Sequence, residues 1–308
     1  MPQFLGLDTS NYTTSCALYD SDAGTVVQQK QLLPVRPGEK GLRQSDAVFH
    51  HTVQLPALIE SLGISGMIAG IGVSTRPRSV EGSYMPCFLV GEGAARTFGA
   101  ALHVPVFRTS HQVGHILAAL FSAGQLGLLR RPFLAFHVSG GTTDCVLCEP
   151  DSADLLRVTP VAGSLDLKAG QAVDRVGVMM GLPFPCGAAL ERLAVQSRRR
   201  FRYKPTMRGA DCCLSGLENQ CRAMLDRGES HADTACFCLT AIAAVLSEMT
   251  ARAIEQCGDL PVLYAGGVMS DVLIRQRLEG ERRYFAAPEF SCDNAAGTAI
   301  FGAFRSLQ

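Results

Sequence analysis

Two stretches of this chain read alike, and that likeness restricts the fold more than any other feature. Residues 4–20 read FLGLDTSNYTTSCALYD and residues 133–149 read FLAFHVSGGTTDCVLCE. Set side by side, Phe4, Leu5 and Ser10 align with Phe133, Leu134 and Ser139. Thr13, Thr14, Cys16 and Leu18 align with Thr142, Thr143, Cys145 and Leu147. Each copy is an apolar run, a small polar turn, then a second run with alternating side chains, which is the pattern of a β-hairpin. Shared turn chemistry could produce such a likeness by itself. The sharper reading is a duplicated domain, each copy opening on a hairpin whose turn faces a phosphate. Small residues there let backbone N–H groups reach phosphate oxygens, and hydroxyls add donors. Two such loops facing each other across a cleft would clamp a nucleotide.

The remainder alternates helix and strand, as an α/β protein with two related lobes does. Helices are expected over 54–62, 91–102, 187–198, 234–256, 270–278 and 295–306, and strands over 67–74, 104–108, 261–265 and 283–286. Residues 125–132 (QLGLLRRP) read as a linker. The expected lobes are therefore 1–124 and 133–294, with the terminal helix 295–308 packing on the first. A length of 308 residues suits two medium domains, and 47% hydrophobic against 18% charged residues allows sizeable cores.

Charge restricts the partners. With 28 basic and 28 acidic residues the net charge is zero, whereas a chain that grips nucleic acid alone carries a positive excess. Any RNA contact must be local or shared. The one strong basic cluster is Arg198-Arg199-Arg200-Phe201-Arg202-Tyr203-Lys204, which reads either as a solvated hairpin or as an RNA contact with Phe201 and Tyr203 stacking on bases. Met1 leads into a strand-like run without a secretory pattern, and no apolar stretch reaches the roughly 20 residues that span a bilayer. Twelve cysteines scattered through apolar segments read as reduced thiols. Cys145 and Cys148 fall inside a strand, with no second pair at zinc-site spacing. A cytoplasmic location without membrane contact is expected.

Three motifs carry chemistry. His111 and His115 sit four apart in SHQVGHILAALF after Ser110, a good helix N-cap, so both imidazoles project from one face. Two solvated histidines would look the same; a third ligand decides, and Asp293 in SCDNAAG is the best candidate. The loop Val138-Ser139-Gly140-Gly141-Thr142 gains weight as one half of the repeat and from Ala265-Gly266-Gly267-Val268, where a strand ends in two glycines. Asp174 and Gly187 complete the cleft candidates; the aspartate could cap locally or hold a ribose hydroxyl. No catalytic residue is assigned, with Asp8 and Ser10 as weak candidates.

In this order the motifs resemble the tRNA threonylcarbamoyladenosine transferase family, formerly described as O-sialoglycoprotein endopeptidases. The resemblance covers nearly the whole chain: LGLDTSNYTTSCAL, SHQVGH, VSGGTTDCVL, AGQAVDRVGVMMGLPFPCG, LSGLENQ, YAGGVMSD and SCDNAAG. It implies a two-lobed actin-like ATPase (ASKHA) fold of duplicated RNase H-like domains with a nucleotide cleft. His111, His115 and Asp293 would hold one divalent metal, iron or zinc. The phosphates of ATP or threonylcarbamoyl-adenylate would lie against His137 to Gly141 and Gly266-Gly267, with Asp174, Gly187 and Asp271 at the adenosine end. The implied activity is acyl transfer, passing a threonylcarbamoyl group to adenosine of tRNA. Implied partners are the nucleotide and a second subunit, as homodimer or as heterodimer with a related protein.

The chain departs from that pattern on the acceptor side. Asn11, Tyr12 and Thr13 stand where the family has acidic residues, Ala47-Val48-Phe49-His50 lacks the arginine of its S-R-A-H segment, and Asp271 replaces an asparagine. General-base help is worth about 10²–10⁴-fold, so transfer to tRNA is expected to be slow; neutral charge also counts against tRNA. The pattern is that of a divergent paralogue, with metal and nucleotide residues kept. The alternatives are carbamoyl transfer to another acceptor, a nucleotide-binding partner protein without transferase activity, and a sugar or acetate kinase. Metalloprotease activity is not expected, because no glutamate follows His111 to activate water.

Overall fold

In the computed structural model, which describes residues 2–10, 12–35 and 42–308, both copies of the repeat are antiparallel hairpins. The first is β1 (Gln3–Ser10) with β2 (Thr13–Asp20), extended by β3 (Thr25–Leu32). Then come α1 (Gln44–Ser61), β4 (Ile68–Arg76), α2 (Phe88–Leu102), β5 (Val106–Ser110) and α3 (His111–Ser122). The second copy is β6 (Phe133–Val138) with β7 (Thr143–Asp151), extended by β8 (Leu155–Gly163). It is followed by α4 (Ala169–Met179), α5 (Gly187–Ala194), the short pair β9 (Thr206–Arg208) and β10 (Asp211–Cys213), and α6 (Ser215–Asp226). The chain continues through α7 (His231–Cys257), β11 (Val262–Ala265), α8 (Val272–Leu278), β12 (Arg283–Phe285) and α9 (Ala296–Ser306).

The hairpins share one register. Phe4 faces Tyr19 and Leu5 faces Leu18, as Phe133 faces Cys148 and Leu134 faces Leu147. Both sheets are a three-stranded meander with two parallel strands added beside its first strand, in orders β3-β2-β1-β4-β5 and β8-β7-β6-β11-β12. The domain is present twice.

The first compact unit takes in Met1–Leu129, Pro150–Arg157 and Cys292–Gln308, and the second Arg130–Glu149 and Val158–Ser291. The interval 133–294, read as one lobe from sequence, thus contributes two segments to the first unit. Asp154 pairs with Arg76 at 3.1 Å, Arg305 donates to the Ser152 carbonyl at 2.6 Å, and Asp293 reaches α3. Leu5, Leu7, Ile71 and Val73 from the central strands form the first core with Leu55 and Ala95. In the second, Phe136, Tyr264 and the apolar length of α7 form the centre. Among the described residues α7 alone is long and apolar enough to cross a membrane, and 72% of its most apolar stretch is buried in this core.

Several boundaries differ from the sequence reading. α1 starts at Gln44 rather than near 54, because its N-cap is Arg43, which makes no side-chain cap bond and gives no start signal. α5 stops at Ala194, short of 198, where the basic run begins. The linker 125–132 holds a 3₁₀ turn, Leu126–Arg130, anchored by buried Leu128 and Leu129.

Candidate metal centre and phosphate loop

β5 runs directly into α3, and the Ser110 hydroxyl accepts the Val113 N–H at 3.2 Å to start the helix. One turn then separates His111 from His115, which puts both rings on one face with Nε2 atoms 2.9 Å apart. The third group comes from far along the chain. Asp293 precedes α9, whose first turn sits in a slot that only glycine permits. A Cβ on Gly297 would stand 1.8 Å from the Gly114 carbonyl oxygen of α3, and one on Gly72 of β4 would stand 1.8 Å from the Thr298 carbonyl. That approach places Asp293 Oδ1 3.1 Å from His115 Nε2 and 3.7 Å from His111 Nε2. The donors of the three residues lie within 4.8 Å of one another.

The first hairpin braces this cluster. Asp8 on β1 is buried, and its Oδ2 accepts the His111 Nδ1–H at 2.7 Å, leaving Nε2 as the outward donor. Asp8 Oδ1 accepts the Ser10 N–H at 2.8 Å. On β2, the Thr13 hydroxyl donates to Asp293 Oδ2 at 3.2 Å, holding the other carboxylate oxygen toward the histidines. Burial alone would lower the pKa of His111, but the Asp8 charge and hydrogen bond, helped by Asp293, raise it to about 9. Burial would raise Asp8, yet the His111 charge holds it below the usual carboxylate range. Asp293 is likewise depressed, against the effect of burial, by its bond to His115 and the charge of His111.

Two imidazole nitrogens and one carboxylate oxygen on a shared open face suit iron or zinc, which take three protein ligands and keep positions for substrate. The residues fit such an ion, and Asp8 supplies the outer carboxylate that metal-binding histidines commonly have. Asp8, a weak catalytic candidate from sequence, is the hydrogen-bond partner of His111. The Ser10 hydroxyl is buried, with no hydrogen-bond partner within 3.5 Å among the described residues. Asn11 lies outside the described residues.

In the second unit the hairpin turn is open. The last paired residues of β6 and β7 are Val138 and Thr143, leaving Ser139–Thr142 as a loop. Ser139 N–H donates to the Thr142 carbonyl at 2.7 Å, and Thr142 N–H to the Ser139 hydroxyl at 3.2 Å. A Cβ on Gly140 or Gly141 would meet nothing within 4 Å. The start of α4 lies behind the loop, where Gly170 N–H donates to the Ser139 carbonyl at 3.1 Å. Gly266, at φ +102°, lies so close to β6 that a Cβ would stand 2.2 Å from the Val138 carbonyl. Val138 is buried in the core and His137 is half-buried on the same strand.

The remaining sequence candidates hold local structure here. Asp174 Oδ1 accepts the Cys186 N–H at 2.8 Å, tying α4 to the start of α5 and Gly187. Asp271 caps α8 by accepting the Ile274 N–H at 2.9 Å; burial, with Glu191 nearby, lifts its pKa to about 6. Sequence reading missed His51. It is fully buried on α1, its Nδ1 meets the Thr14 hydroxyl at 2.8 Å, and burial lowers its pKa to about 4. The signal was present in the i, i+4 spacing of Ala47, His51 and Leu55, the buried face of α1.

A duplicated meander sheet with an open glycine turn in one copy and a histidine–carboxylate cluster in the other has the actin-like ATPase fold and carries a candidate metal centre. Component A of (R)-2-hydroxyglutaryl-CoA dehydratase from Acidaminococcus fermentans matches this fold along the full length of both chains, with a TM-score of 0.56 at 14% identity. The chain belongs to the tRNA N6-adenosine threonylcarbamoyltransferase (TsaD) family, whose model matches residues 38–300. A relative of that name from Aromatoleum aromaticum is 32% identical, covering 98% of this chain and 91% of the relative. Another from Methanopyrus kandleri is 27% identical over 92% of this chain and 82% of its own length.

Proposed function

We propose that this protein transfers a threonylcarbamoyl group from threonylcarbamoyl-adenylate to an adenosine amine of tRNA, in the cytoplasm, with one iron or zinc ion held by His111, His115 and Asp293. The observation that carries this reading is the convergence of those three side chains, braced by Asp8 and Thr13, in a chain that the family model matches. A bound ion would neutralise charge on the adenylate phosphate as it leaves. Backbone N–H groups at Gly140 and Gly141 serve the phosphates of ATP or the adenylate, with Gly266 and Gly267 beside them and Asp174, Gly187 and Asp271 at the adenosine end. Exposed Phe49 and Val53, one turn apart on α1, support a protein partner, either a second copy or a related chain.

The test supplies metal-loaded protein with preformed threonylcarbamoyl-adenylate and tRNA, and follows adenylate consumption and tRNA labelling together. Labelled tRNA is the expected result. A rate about 10²–10⁴-fold below that of an ordinary family member would match the missing first-turn carboxylate. Consumption without labelling would overturn tRNA as acceptor, and no consumption would leave a nucleotide-binding protein.

A further inference from the structure

Residues 198–208, RRRFRYKPTMR, hold six basic side chains and no acidic one, so the zero net charge of the chain conceals a local field. Burial alternates along this segment. Phe201, Tyr203, Pro205 and Met207 are half-buried, whereas Arg200, Arg202, Lys204 and Arg208 are exposed. The inner set is pinned, with the rings of Phe201 and Tyr203 meeting Phe237 of α7 edge-on at 5.6 and 6.0 Å, and Tyr203 and Met207 packing on the core. These aromatic rings are therefore anchors, not platforms for stacked bases. Their burial leaves the alternating basic residues Arg200, Arg202 and Lys204 exposed.

These residues are not spent on ion pairs. Arg199 is engaged with Glu229 at 2.7 Å and Asp233 at 3.7 Å. Arg198, Arg200, Arg202 and Lys204 form no ion pair among the described residues. Residues 197–205 lie outside any helix or strand; the every-second-residue spacing of Arg200, Arg202 and Lys204 corresponds in extended chain to about 6.4–6.8 Å, comparable to successive phosphates along an RNA strand. The segment is also tied to the phosphate loop by backbone bonds. Met207 pairs with Cys212, and the Cys212 carbonyl accepts the Leu165 N–H at 2.9 Å. Ser164 N–H in turn donates at 2.9 Å to the carbonyl of Thr143, which follows that loop.

We propose that Arg200, Arg202 and Lys204 form a ladder that holds the phosphate backbone of the RNA acceptor by charge, without reading its bases. The proposal rests on the reading of tRNA as acceptor and names the surface that binds it. The exposed basic residues supply the cations, and the links to Thr143 give bound RNA a fixed register relative to the loop.

The experiment measures binding of a fluorescent tRNA transcript by anisotropy from 50 to 300 mM salt, without adenylate. It compares the full chain, the triple variant Arg200→Ala/Arg202→Ala/Lys204→Ala, and Arg96→Glu as an exposed control on α2. The triple variant should bind about tenfold or more weakly at low salt, and its log–log salt slope should fall by about 2–3, near 0.7–0.9 per lost contact. Arg96→Glu should change neither by more than about twofold. Unchanged affinity and slope in the triple variant would overturn the ladder even if the wild type modifies tRNA. Loss of binding with an intact slope would also overturn it. Stronger ladder-dependent binding to phosphatidylserine vesicles than to tRNA would transfer the row to a lipid surface and overturn the RNA assignment. If tRNA binding depends on the ladder but labelled tRNA never forms from preformed adenylate, the ladder stands and the transfer reading falls.

Discussion

The two hairpins of the repeat start from one pattern and end in different chemistry. In the first, pairing continues to Ser10 and Thr13, so the turn is short and its neighbours act through side chains. Asp8 accepts from His111, and Thr13 donates to Asp293. In the second, pairing stops at Val138 and Thr143, and the four residues between include two glycines at which a Cβ would meet open space. The aligned positions make the contrast concrete, since Asp8 corresponds to His137 and Tyr12 to Gly141. One scaffold thus presents carboxylate and hydroxyl side chains at one turn and two glycines at the other. The fold supplies the position of a turn; a few substitutions set the chemistry it presents.

The most severe way to break this comparison is to disable each hairpin separately. His111→Ala should remove most bound metal, read by elemental analysis, while ATP binding measured in metal-free buffer is retained. Gly140→Val should abolish ATP binding by calorimetry while metal content and fold persist, because the added side chain meets only ligand space. Either variant losing both activities would show that the two sites are not separable. A smaller effect sharpens the role of Asp8. Asp8→Asn should cost about 10–100-fold in metal affinity, as loss of a carboxylate behind a ligating histidine does. Unchanged affinity would reduce Asp8 to a core residue. The mildest effect is in pH. His111, raised to about 9, must lose a proton to bind metal, so apparent metal affinity should rise about tenfold per pH unit up to that value. The metal-free protein should behave oppositely. Its His111–Asp8 pair is fully present below the unfolded histidine pKa near 6.5, and its stabilisation is lost as pH rises through about 9. Thermal melts of metal-free protein at pH 6 and pH 9.5 would check that sign.

Local patterns were readable in the sequence because each is written within a few residues. The repeat predicted two matching sheets, Ser110 the helix start, and the i, i+4 histidines the shared face. What could not be read depends on distance or on capping. Asp8 lies 103 residues before His111, so no local spacing joins them. Asp174, read from sequence as a cap or a ribose contact, and Asp271 each have one oxygen accepting a backbone N–H at a helix end, a partner that local spacing does not reveal. In the basic run, charge drew attention away from the alternation of Phe201, Tyr203 and Met207, a strand period that separates an inner from an outer face. His51 and His50 are adjacent and alike in type, and only the buried stripe of α1 distinguishes them.

The seating of α9 against α3 also sets a timetable for synthesis. Asp293 is added 178 residues after His115, an interval of roughly 10–35 s at ribosomal speed. Throughout that interval the two histidines are on a nascent chain that lacks their carboxylate partner and the glycine contact that seats it. Such a chain offers an ion two nitrogens instead of a closed set of three donors. With the proposed ion at His111, His115 and Asp293, loading would report on completion: a chain that stops before residue 293 lacks the third donor, which arrives only when α9 docks.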